Sequence, residues 1–232
     1  MLLSNMELLA TAPGGVAKLR ELILTLAVQG KLVPQDPADE PAGVLLQKIR
    51  AEKDRLIAEG KIKRDKPLAE IGDEEKPFEL PPGWEWLRLG STMEMLNGRA
   101  FKPSEWMDAG LPIVRIQNLN NPNASFNYCD PSTVVDKNRI DDGAFLISWS
   151  GTPGTSFGAF IWSRGAAALN QHIFKCVLIG RVFLPEFLRL SINSQLNVLI
   201  AQAQGGVGLQ HVTKGALAHR VWAPPPVPAP YR

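Results

Sequence analysis

The first hydrophobic pattern in the chain has a helical period. Four apolar residues recur at i, i+3, i+4 and i+7, which places them on one face of an α-helix: Leu19, Leu22, Ile23 and Leu26. The pattern predicts a helix over residues 17–29, and Gly30 is a typical C-terminal stop. The prolines within residues 33–37 then predict an extended connection, because proline disfavours a helical conformation in the residue before it.

A second helical pattern follows and carries many charged residues. It predicts a helix over residues 40–59, opened by Asp39, Glu40 and Pro41, because an acidic residue is a common N-cap and proline is favoured in the first turn. Its apolar positions form a narrow stripe: Leu45, Leu46, Ile49, Leu56 and Ile57. Residues 60–77 are charged and poor in large apolar side chains, so we predict a linker there. The two helices are typical of a docking arm, and equally of helices that pack on the main domain.

Beyond Phe78 the period shortens to that of β-strands. Residues 84–89 predict a strand with Trp84 and Trp86 on one face. Further strands, separated by turns rich in Gly, Pro, Asn and Asp, are predicted at 111–117, 144–149, 157–162 and 173–179. The pattern therefore predicts an α+β fold, with a mixed α/β domain behind an N-terminal helical arm.

The C-terminal part combines one long helix with irregular segments. Apolar residues keep helical spacing over residues 184–203, and residues 218–222 predict a last strand. Between them, residues 204–217 hold three glycines in four positions, followed by polar side chains without a carboxylate. Such a loop suits an acidic substrate or a nucleic-acid backbone, and it is also typical of a simple helix stop before a strand. Residues 224–230 are too rich in proline to be helical and need not be folded.

Charge is distributed unevenly along the 232 residues. The net charge is +2, but residues 143–232 contain seven basic groups and a single acidic one, Glu186. So few carboxylates suit an anionic partner such as nucleic acid, although the same excess is compatible with a solvated surface.

Length and composition narrow the class of protein. The length allows one large domain or a domain with an appendage. No apolar run reaches the roughly 18 residues that span a membrane, and the first six residues lack the basic region of a secretory signal. Cys129 and Cys176 fit no metal-binding spacing, and two unpaired thiols suit a reducing cytoplasm.

Catalytic and cofactor motifs are not found in the sequence. A Walker loop, HExxH, paired CxxC and GxSxG are all missing, and the three histidines have no carboxylate or cysteine partner nearby in sequence. Residues 120–123 faintly resemble the Asn-Pro-Pro-aromatic motif of amino-methyltransferases but lack the second proline and the aromatic, so we interpret them as a turn. We therefore predict no catalytic residue, metal ligand or cofactor.

Amide, guanidinium and hydroxyl groups form three clusters at predicted strand ends. They lie in residues 115–120, 148–156 and 170–172. Arginine pairs with guanine, and Asn or Gln with adenine, in the major groove of DNA, while small-residue loops can hold phosphates. Half of the polar groups in alternating strands merely face water, which is the competing interpretation.

With these features together, the chain resembles the specificity subunit of type I restriction–modification systems. The resemblance covers about Leu19 to Pro226. The stretches that carry it are Leu32–Pro37, Glu79–Trp86, Gly110–Leu119, Ser150–Thr152, Asn170–His172 and Gly205–Lys214.

The resemblance implies a division of the chain and a set of partners. Residues 1–77 would be a helical arm and charged linker, residues 78–223 a target-recognition domain for DNA, and residues 224–232 a Pro-rich tail. The expected function is to bind one half of a bipartite site in double-stranded DNA and to direct methylation and restriction subunits that perform the catalysis. Because a complete subunit has two such domains, this chain is expected to be a half subunit or a truncated product, with a second copy of itself as a further partner. The alternatives are a remnant that docks partners without recognising DNA, and a degenerate DNA-modifying enzyme.

Two residue sets follow from this resemblance and from the polar and apolar patterns. The predicted DNA contacts are Lys102, Arg115, Gln117, Asn118, Ser148, Ser150, Thr152, Gln171, His172, Gln210, His211 and Lys214. The predicted partner-docking residues are Leu19, Leu22, Ile23, Leu26, Leu45, Ile49 and Leu56.

Overall fold

The computed structural model describes residues 11–64, 66–151, 157–180, 184–195 and 210–227. Within these ranges the helices are α1 (Gly15–Val28), α2 (Ala42–Ala58), α3 (Ile116–Asn120), α4 (Pro185–Ser194) and α5 (Lys214–Ala218). Helices α1 and α2 confirm the two N-terminal predictions with shifts of one or two residues at each end. Helix α4 begins where the long C-terminal helix was predicted, while residues 196–203 of that prediction lie outside the described residues.

The strands are short and numerous. In the described ranges they are β1 (Leu87–Arg88), β2 (Met93–Asn97), β3 (Leu111–Val114), β4 (Asn127–Cys129), β5 (Arg139–Ile140), β6 (Phe145–Ser148), β7 (Ser150–Gly151), β8 (Gly158–Ile161), β9 (Ala167–Leu169), β10 (Ile173–Leu178), β11 (Gln210–His211) and β12 (Val221–Trp222). A central antiparallel sheet has the order β2-β10-β6-β8, and a second, mixed sheet has the order β4-β3-β9-β5. Two further pairs, β1–β12 and β7–β11, are two-stranded. The fold is α+β, as predicted.

Alternation along the central sheet separates two cores. On β10, Phe174 and Cys176 face one cluster, which also contains residues of α2, α4 and α5, whereas Ile173 faces the other. That second cluster joins Leu146 of β6 to Val114 of β3, so the mixed sheet packs on this side. Helices therefore cover one face of the central sheet and a second sheet covers the other, which is how an α+β domain buries both faces of a strand layer.

Helix α2 belongs to the main core, and this corrects part of the docking prediction. Leu45 and Ile49 are each only 1% exposed and pack with the central sheet, so neither is available to a partner. Burial of such a side chain contributes about 1.5–3 kcal/mol, which favours packing over a free arm. The predicted acidic N-cap is also wrong: Pro41 is the N-cap residue, and the Glu40 carboxylate accepts from Lys48 Nζ at 2.7 Å instead.

Helix α1 keeps a more open face. Leu19, Leu22 and Leu26 are partly buried, Ile23 is 42% exposed, and the helix contacts α4. Leu56, near the end of α2, is also partly buried.

The predicted linker is attached to the domain by one arginine. Arg88 is 6% exposed, and its Nη1 and Nη2 donate to the two carboxylate oxygens of Glu75 at 2.5 and 2.7 Å. The guanidinium also donates to the carbonyls of Ala69, Glu70 and His219 at 3.0, 2.6 and 2.7 Å. All five guanidinium N–H groups can be satisfied in this way, and the arrangement holds the C-terminal part of the predicted linker against the β1–β12 pair.

The proline-rich end is folded as far as it is described. Val227 and Glu40 exchange two backbone hydrogen bonds, at 3.0 and 2.9 Å. Residues 223, 224 and 226 are buried, and Pro226 lies close to Gly83. The expectation that this segment need not be folded is therefore wrong for residues 224–227.

Several strand predictions change in length. The predicted strand at 84–89 shortens to β1, and that at 218–222 shortens to β12 because α5 extends to Ala218. Strand β3 ends at Val114, and the residues after it form α3. Strands β2, β4, β5, β7, β9 and β11 were not predicted. Among the described residues, no helix is both long and apolar enough to cross a membrane.

Candidate nucleic-acid interface

A parallel strand pair brings two predicted polar clusters to one edge of the mixed sheet. Strands β3 and β9 run in the same direction with Val114 opposite Leu169. The next residues are Arg115 and Asn170, and the Asn170 N–H donates to the Val114 carbonyl at 3.1 Å. Since the carboxyl ends of parallel strands meet at one edge, these two residues become neighbours although they are far apart in sequence.

Two further residues complete this edge. The Arg99 N–H donates to the Leu169 carbonyl at 3.0 Å, and Arg99 forms a parallel bridge with Asn170. Asn127 begins β4, opposite Ile113, and its Oδ1 accepts from Arg115 Nη2 at 3.3 Å. We call Arg99, Arg115, Asn127 and Asn170 the strand-end cluster.

A glycine permits this close approach. Gly98 lies so near Asn170 that an added Cβ would collide with the Asn170 carbonyl. Its backbone N–H donates to the Ile173 carbonyl at 3.1 Å. Any larger residue would push β2 away from β9 and separate Arg99 from the rest of the cluster.

The two arginines of the cluster have different electrostatic surroundings. Arg99 Nη1 pairs with Glu105 Oε1 at 2.7 Å, and its guanidinium lies 3.8 Å from the ring centre of Phe101. The Lys102 backbone N–H and then Arg99 hold the pKa of the Glu105 carboxyl below its usual value. Arg115 pairs with no carboxylate of the described residues, and its guanidinium lies 5.9 Å from the ring centre of Trp106. No carboxylate among the described residues thus neutralises Arg115 directly.

The cluster contains buried donors without an acceptor. Within the described residues, the Nε of Arg99, the Nε of Arg115 and the Nδ2 of Asn127 are buried and form no hydrogen bond. Each unsatisfied buried donor costs about 1–3 kcal/mol. Because these atoms are buried, they offer no direct contact to DNA in this structure.

A second group of predicted residues follows Asn170 in the chain and lies where β6 ends and β10 begins in the central sheet. Two residues beyond Asn170, the His172 carbonyl accepts from the Trp149 N–H at 3.3 Å, and the two rings lie 5.4 Å apart. The Trp149 carbonyl accepts from the Val212 N–H at 2.9 Å. Strand β7 then pairs with β11. Backbone hydrogen bonds thus connect His172 to Trp149, and Trp149 to Val212 at the end of β11.

The remaining predicted DNA contacts differ in exposure and in how much of each residue is described. Gln171 is exposed and its Nε2 lies 3.1 Å from His172 Nε2. Gln117 and Lys102 are also exposed. The backbones of Gln210 and His211 are placed by β11, their side chains are outside the described structure, and Thr152 lies outside the described residues.

Three predicted contacts are buried inside the fold, which corrects their assignment. Asn118 is 1% exposed: its Oδ1 accepts from the Arg115 N–H at 3.0 Å, and its Nδ2 donates to the carbonyls of Ala124 and Ser125 at 3.2 and 3.0 Å. Ser148 and Ser150 are 2% and 3% exposed in strands β6 and β7. All three side chains are buried, so none of them is available to DNA in this structure.

Lys214 lies away from the strand-end cluster. It begins α5 and lines a cavity together with Lys53, Arg64 and Lys66. The sequence did not indicate this grouping, because its members come from α2, the predicted linker and the C-terminal region.

Sequence reasoning missed Arg99, Asn127 and Arg164. Arg99 was missed because β2 was not predicted, although the Gly-Arg pair after an alternating apolar run was a usable signal. Arg164 lies 4.5 and 5.1 Å from the ring centres of Trp162 and Phe126, and it donates to the Asn118 carbonyl. It therefore supports the turn that carries Arg115.

Titratable groups give no indication of a metal or thiol centre. Within the described ranges, no group of three or more His, Cys, Asp or Glu side chains could hold a metal ion. Cys129 and Cys176 are both buried and free, and burial raises the pKa of each thiol.

Residues 81–220 match the family model of the type I restriction modification DNA specificity domain. The chain is similar to the Type I restriction enzyme EcoAI specificity subunit of Escherichia coli, with 57% identity over 116 residues that cover 50% of this chain and 20% of the relative. It is also similar to the EcoEI specificity subunit of Escherichia coli, with 67% identity over 75 residues that cover 32% of this chain and 13% of the relative. The matches thus span a fifth or less of these relatives' length. Among solved structures, the HsdS subunit from Thermoanaerobacter tengcongensis aligns with a TM-score of 0.48 and 18% identity, covering 79% of this chain and 44% of that one.

Proposed function

This chain belongs to the type I restriction modification DNA specificity domain family, and we propose that it recognises one half of a bipartite site in double-stranded DNA. The observation that supports the proposal most directly is the strand-end cluster. It gathers two guanidinium groups and two amides at one sheet edge, and no carboxylate among the described residues pairs with Arg115.

The chemistry of these groups suits base edges. An arginine can donate two parallel hydrogen bonds to O6 and N7 of guanine, and an asparagine or glutamine can pair in the same bidentate way with adenine. Arg115 is the strongest candidate for base recognition because no described carboxylate neutralises it. Arg99, held by Glu105, is better suited to a fixed supporting contact with a phosphate or sugar.

By binding a specific DNA sequence, this chain would direct the catalytic subunits to their site. We expect methyl transfer and DNA cleavage to reside in methylation and restriction subunits, with this chain supplying the address. Docking would use the open face of α1, where Ile23 is 42% and Val16 60% exposed. Leu19, Leu22, Leu26 and the partly buried Leu56 remain candidates for that contact, whereas Leu45 and Ile49 do not.

The decisive experiment separates base recognition from charge attraction at Arg115. Sequencing duplexes selected by the chain from a randomised pool should yield an enriched motif. Arg115→Lys keeps the positive charge but loses the planar fork, so it should retain general affinity and lose discrimination at one base pair. A bidentate contact is worth about 1–3 kcal/mol, so preference at that position should fall by about 5- to 150-fold.

Arg20→Lys is the matched control, because Arg20 is exposed on α1, away from the strand-end cluster. It should leave the enriched motif unchanged. A pool without any enriched motif would contradict the proposed function and favour a remnant that only docks partners. Methyl transfer to DNA by the purified chain alone would instead favour a DNA-modifying enzyme.

A further inference from the structure

A cavity of about 600 Å³ is lined by residues of the N-terminal helical region and of the DNA-specificity domain. Its walls come from α2, the segment after α2, β2 and the start of α5. Met93 and Met95 contribute apolar surface, and four basic side chains line it: Lys53, Arg64, Lys66 and Lys214. We call these four residues with their cavity the basic groove.

Few carboxylates among the described residues lie beside the cations of the basic groove. Asp54 is the one acidic side chain among the described residues that line it. Arg64, Lys66 and Lys214 form no ion pair within the described part of the chain. Like charges around a concave, partly apolar surface focus a positive potential, and an anion bound there would relieve their mutual repulsion.

Lys214 lies close to the floor of the groove. Burial raises the pKa of the Cys176 thiol, and the positive charge of Lys214 opposes that rise. Cys176 is opposite Met95 in the central sheet, and both belong to the helix-covered core. Lys214 itself is exposed, and it lines the cavity together with Met95.

The groove is also linked to the proposed recognition edge. Lys214 follows His211 by three residues, which can span at most about 11 Å, and His211 pairs with Ser150 in the β7–β11 pair. A duplex that occupies the strand-end cluster carries one phosphate charge per about 1.7 Å of its axis, so it continues as a row of phosphates beyond the recognised bases.

We propose that the basic groove binds backbone phosphates of the DNA that flanks the recognised half-site. The inference rests on the proposed DNA binding, but it assigns a separate contact made by residues of the helical region and α5. Phosphate is favoured over a planar carboxylate partner because two of the three unpaired cations are lysines, which bind phosphate as point charges.

The test compares two triple variants that remove the same charge. Arg64→Ala/Lys66→Ala/Lys214→Ala empties the groove of its unpaired cations, and Lys18→Ala/Arg20→Ala/Lys31→Ala removes two lysines and one arginine that are exposed elsewhere. Binding of a labelled duplex that extends past the half-site is measured between about 50 and 200 mM salt. Each lost phosphate contact lowers the slope of log affinity against log salt by about 0.9.

Loss of three contacts lowers the slope by about 2.7, which means that the wild-type chain loses about 40-fold more affinity over this salt range than the groove variant. The control variant should keep most of the wild-type slope. A groove variant with the same slope and affinity as the control would overturn the proposal. Thermal unfolding of both variants, which should match the wild type, verifies that the fold is intact.

Sequence preference distinguishes a failure here from a failure of the proposed function. Phosphate contacts weaken all sequences alike, so the groove variant should keep the ratio of affinities for selected and scrambled duplexes. Loss of that ratio would indicate that the groove contacts bases, and it would overturn the assignment of the groove to flanking phosphates. If the wild-type chain shows no ratio at all, the proposed function fails while the salt comparison still tests the groove.

A chemical nuclease identifies the position of the contact. Because both native cysteines are buried, a Lys66→Cys variant can be labelled selectively with an iron chelate that cuts nearby DNA. Cuts confined to the flank of the selected site support the proposal, and an uncut duplex overturns it. Titration with ATP or inorganic phosphate should show no saturable binding, and tight binding of either without competition from DNA would assign the groove to a free anion instead.

Discussion

Replacing Ile49 with alanine would measure how far α2 belongs to the core. Ile49 is 1% exposed and packs in the cluster that covers the central sheet. The substitution deletes three carbons, which removes about 2.4 kcal/mol of transfer free energy at about 0.8 kcal/mol each. The unfilled cavity adds to this loss, since buried Ile-to-Ala changes cost about 2–5 kcal/mol. We therefore expect the free energy of unfolding to fall by about 3 kcal/mol.

Urea unfolding monitored by tryptophan fluorescence is the appropriate assay. The midpoint should fall while the slope of free energy against urea stays constant, because the surface exposed on unfolding is unchanged. Val44→Ala is the matched control on the same helix: Val44 is 37% exposed, and its substitution should change stability by less than about 0.5 kcal/mol. If Ile49→Ala were as mild as Val44→Ala, or if α2 melted in a separate early transition, α2 would be an independent arm.

Three other perturbations test the Arg88–Glu75 ion pair, the strand-end cluster and the two buried cysteines. Arg88 lowers the pKa of the Glu75 carboxyl from 4.5 to about 2. The ion pair therefore stabilises the fold fully at pH values above the ordinary pKa of glutamate. Stability should decline between about pH 5 and pH 2, and Glu75→Gln should flatten that decline in urea titrations at each pH. Gly98→Ala should weaken DNA binding and lower the thermal midpoint, because its Cβ meets the Asn170 carbonyl. Cys129 and Cys176 should react with a thiol reagent only on unfolding, as a time course with and without urea would show.

Hydrophobic periodicity predicted the helices well because it is a local signal. Helices α1 and α2 follow stripes that any reader of the sequence can count. Whether such a stripe faces a partner or the chain's own core is a tertiary property, and nothing within α2 indicated that Leu45 and Ile49 would meet the central sheet. The exposed Ile23 and the buried Ile49 have the same local pattern.

Strands β4, β5 and β9, none longer than three residues, escaped prediction for a different reason. Strand β9 consists of two alanines and a leucine, which carry little β-propensity. It forms because β3 and β5 flank it and its side chains fill the space between the sheets. The strand-end cluster depends on β9, so the position of Asn170 beside Arg115 was not available from local sequence.

Arg115 and Asn118 show why polar residue type alone does not identify a contact. Both lie in one predicted cluster, and both have side chains that can pair with bases. In the fold these two residues have different roles. The Asn118 amide forms hydrogen bonds with the backbone of Arg115, Ala124 and Ser125. The Arg115 guanidinium pairs with no carboxylate of the described residues, and among them its buried Nε has no acceptor. The buried amide builds the turn that aims the arginine. If Arg115 recognises a base as proposed, we expect a change at Asn118 to alter DNA recognition through the placement of Arg115.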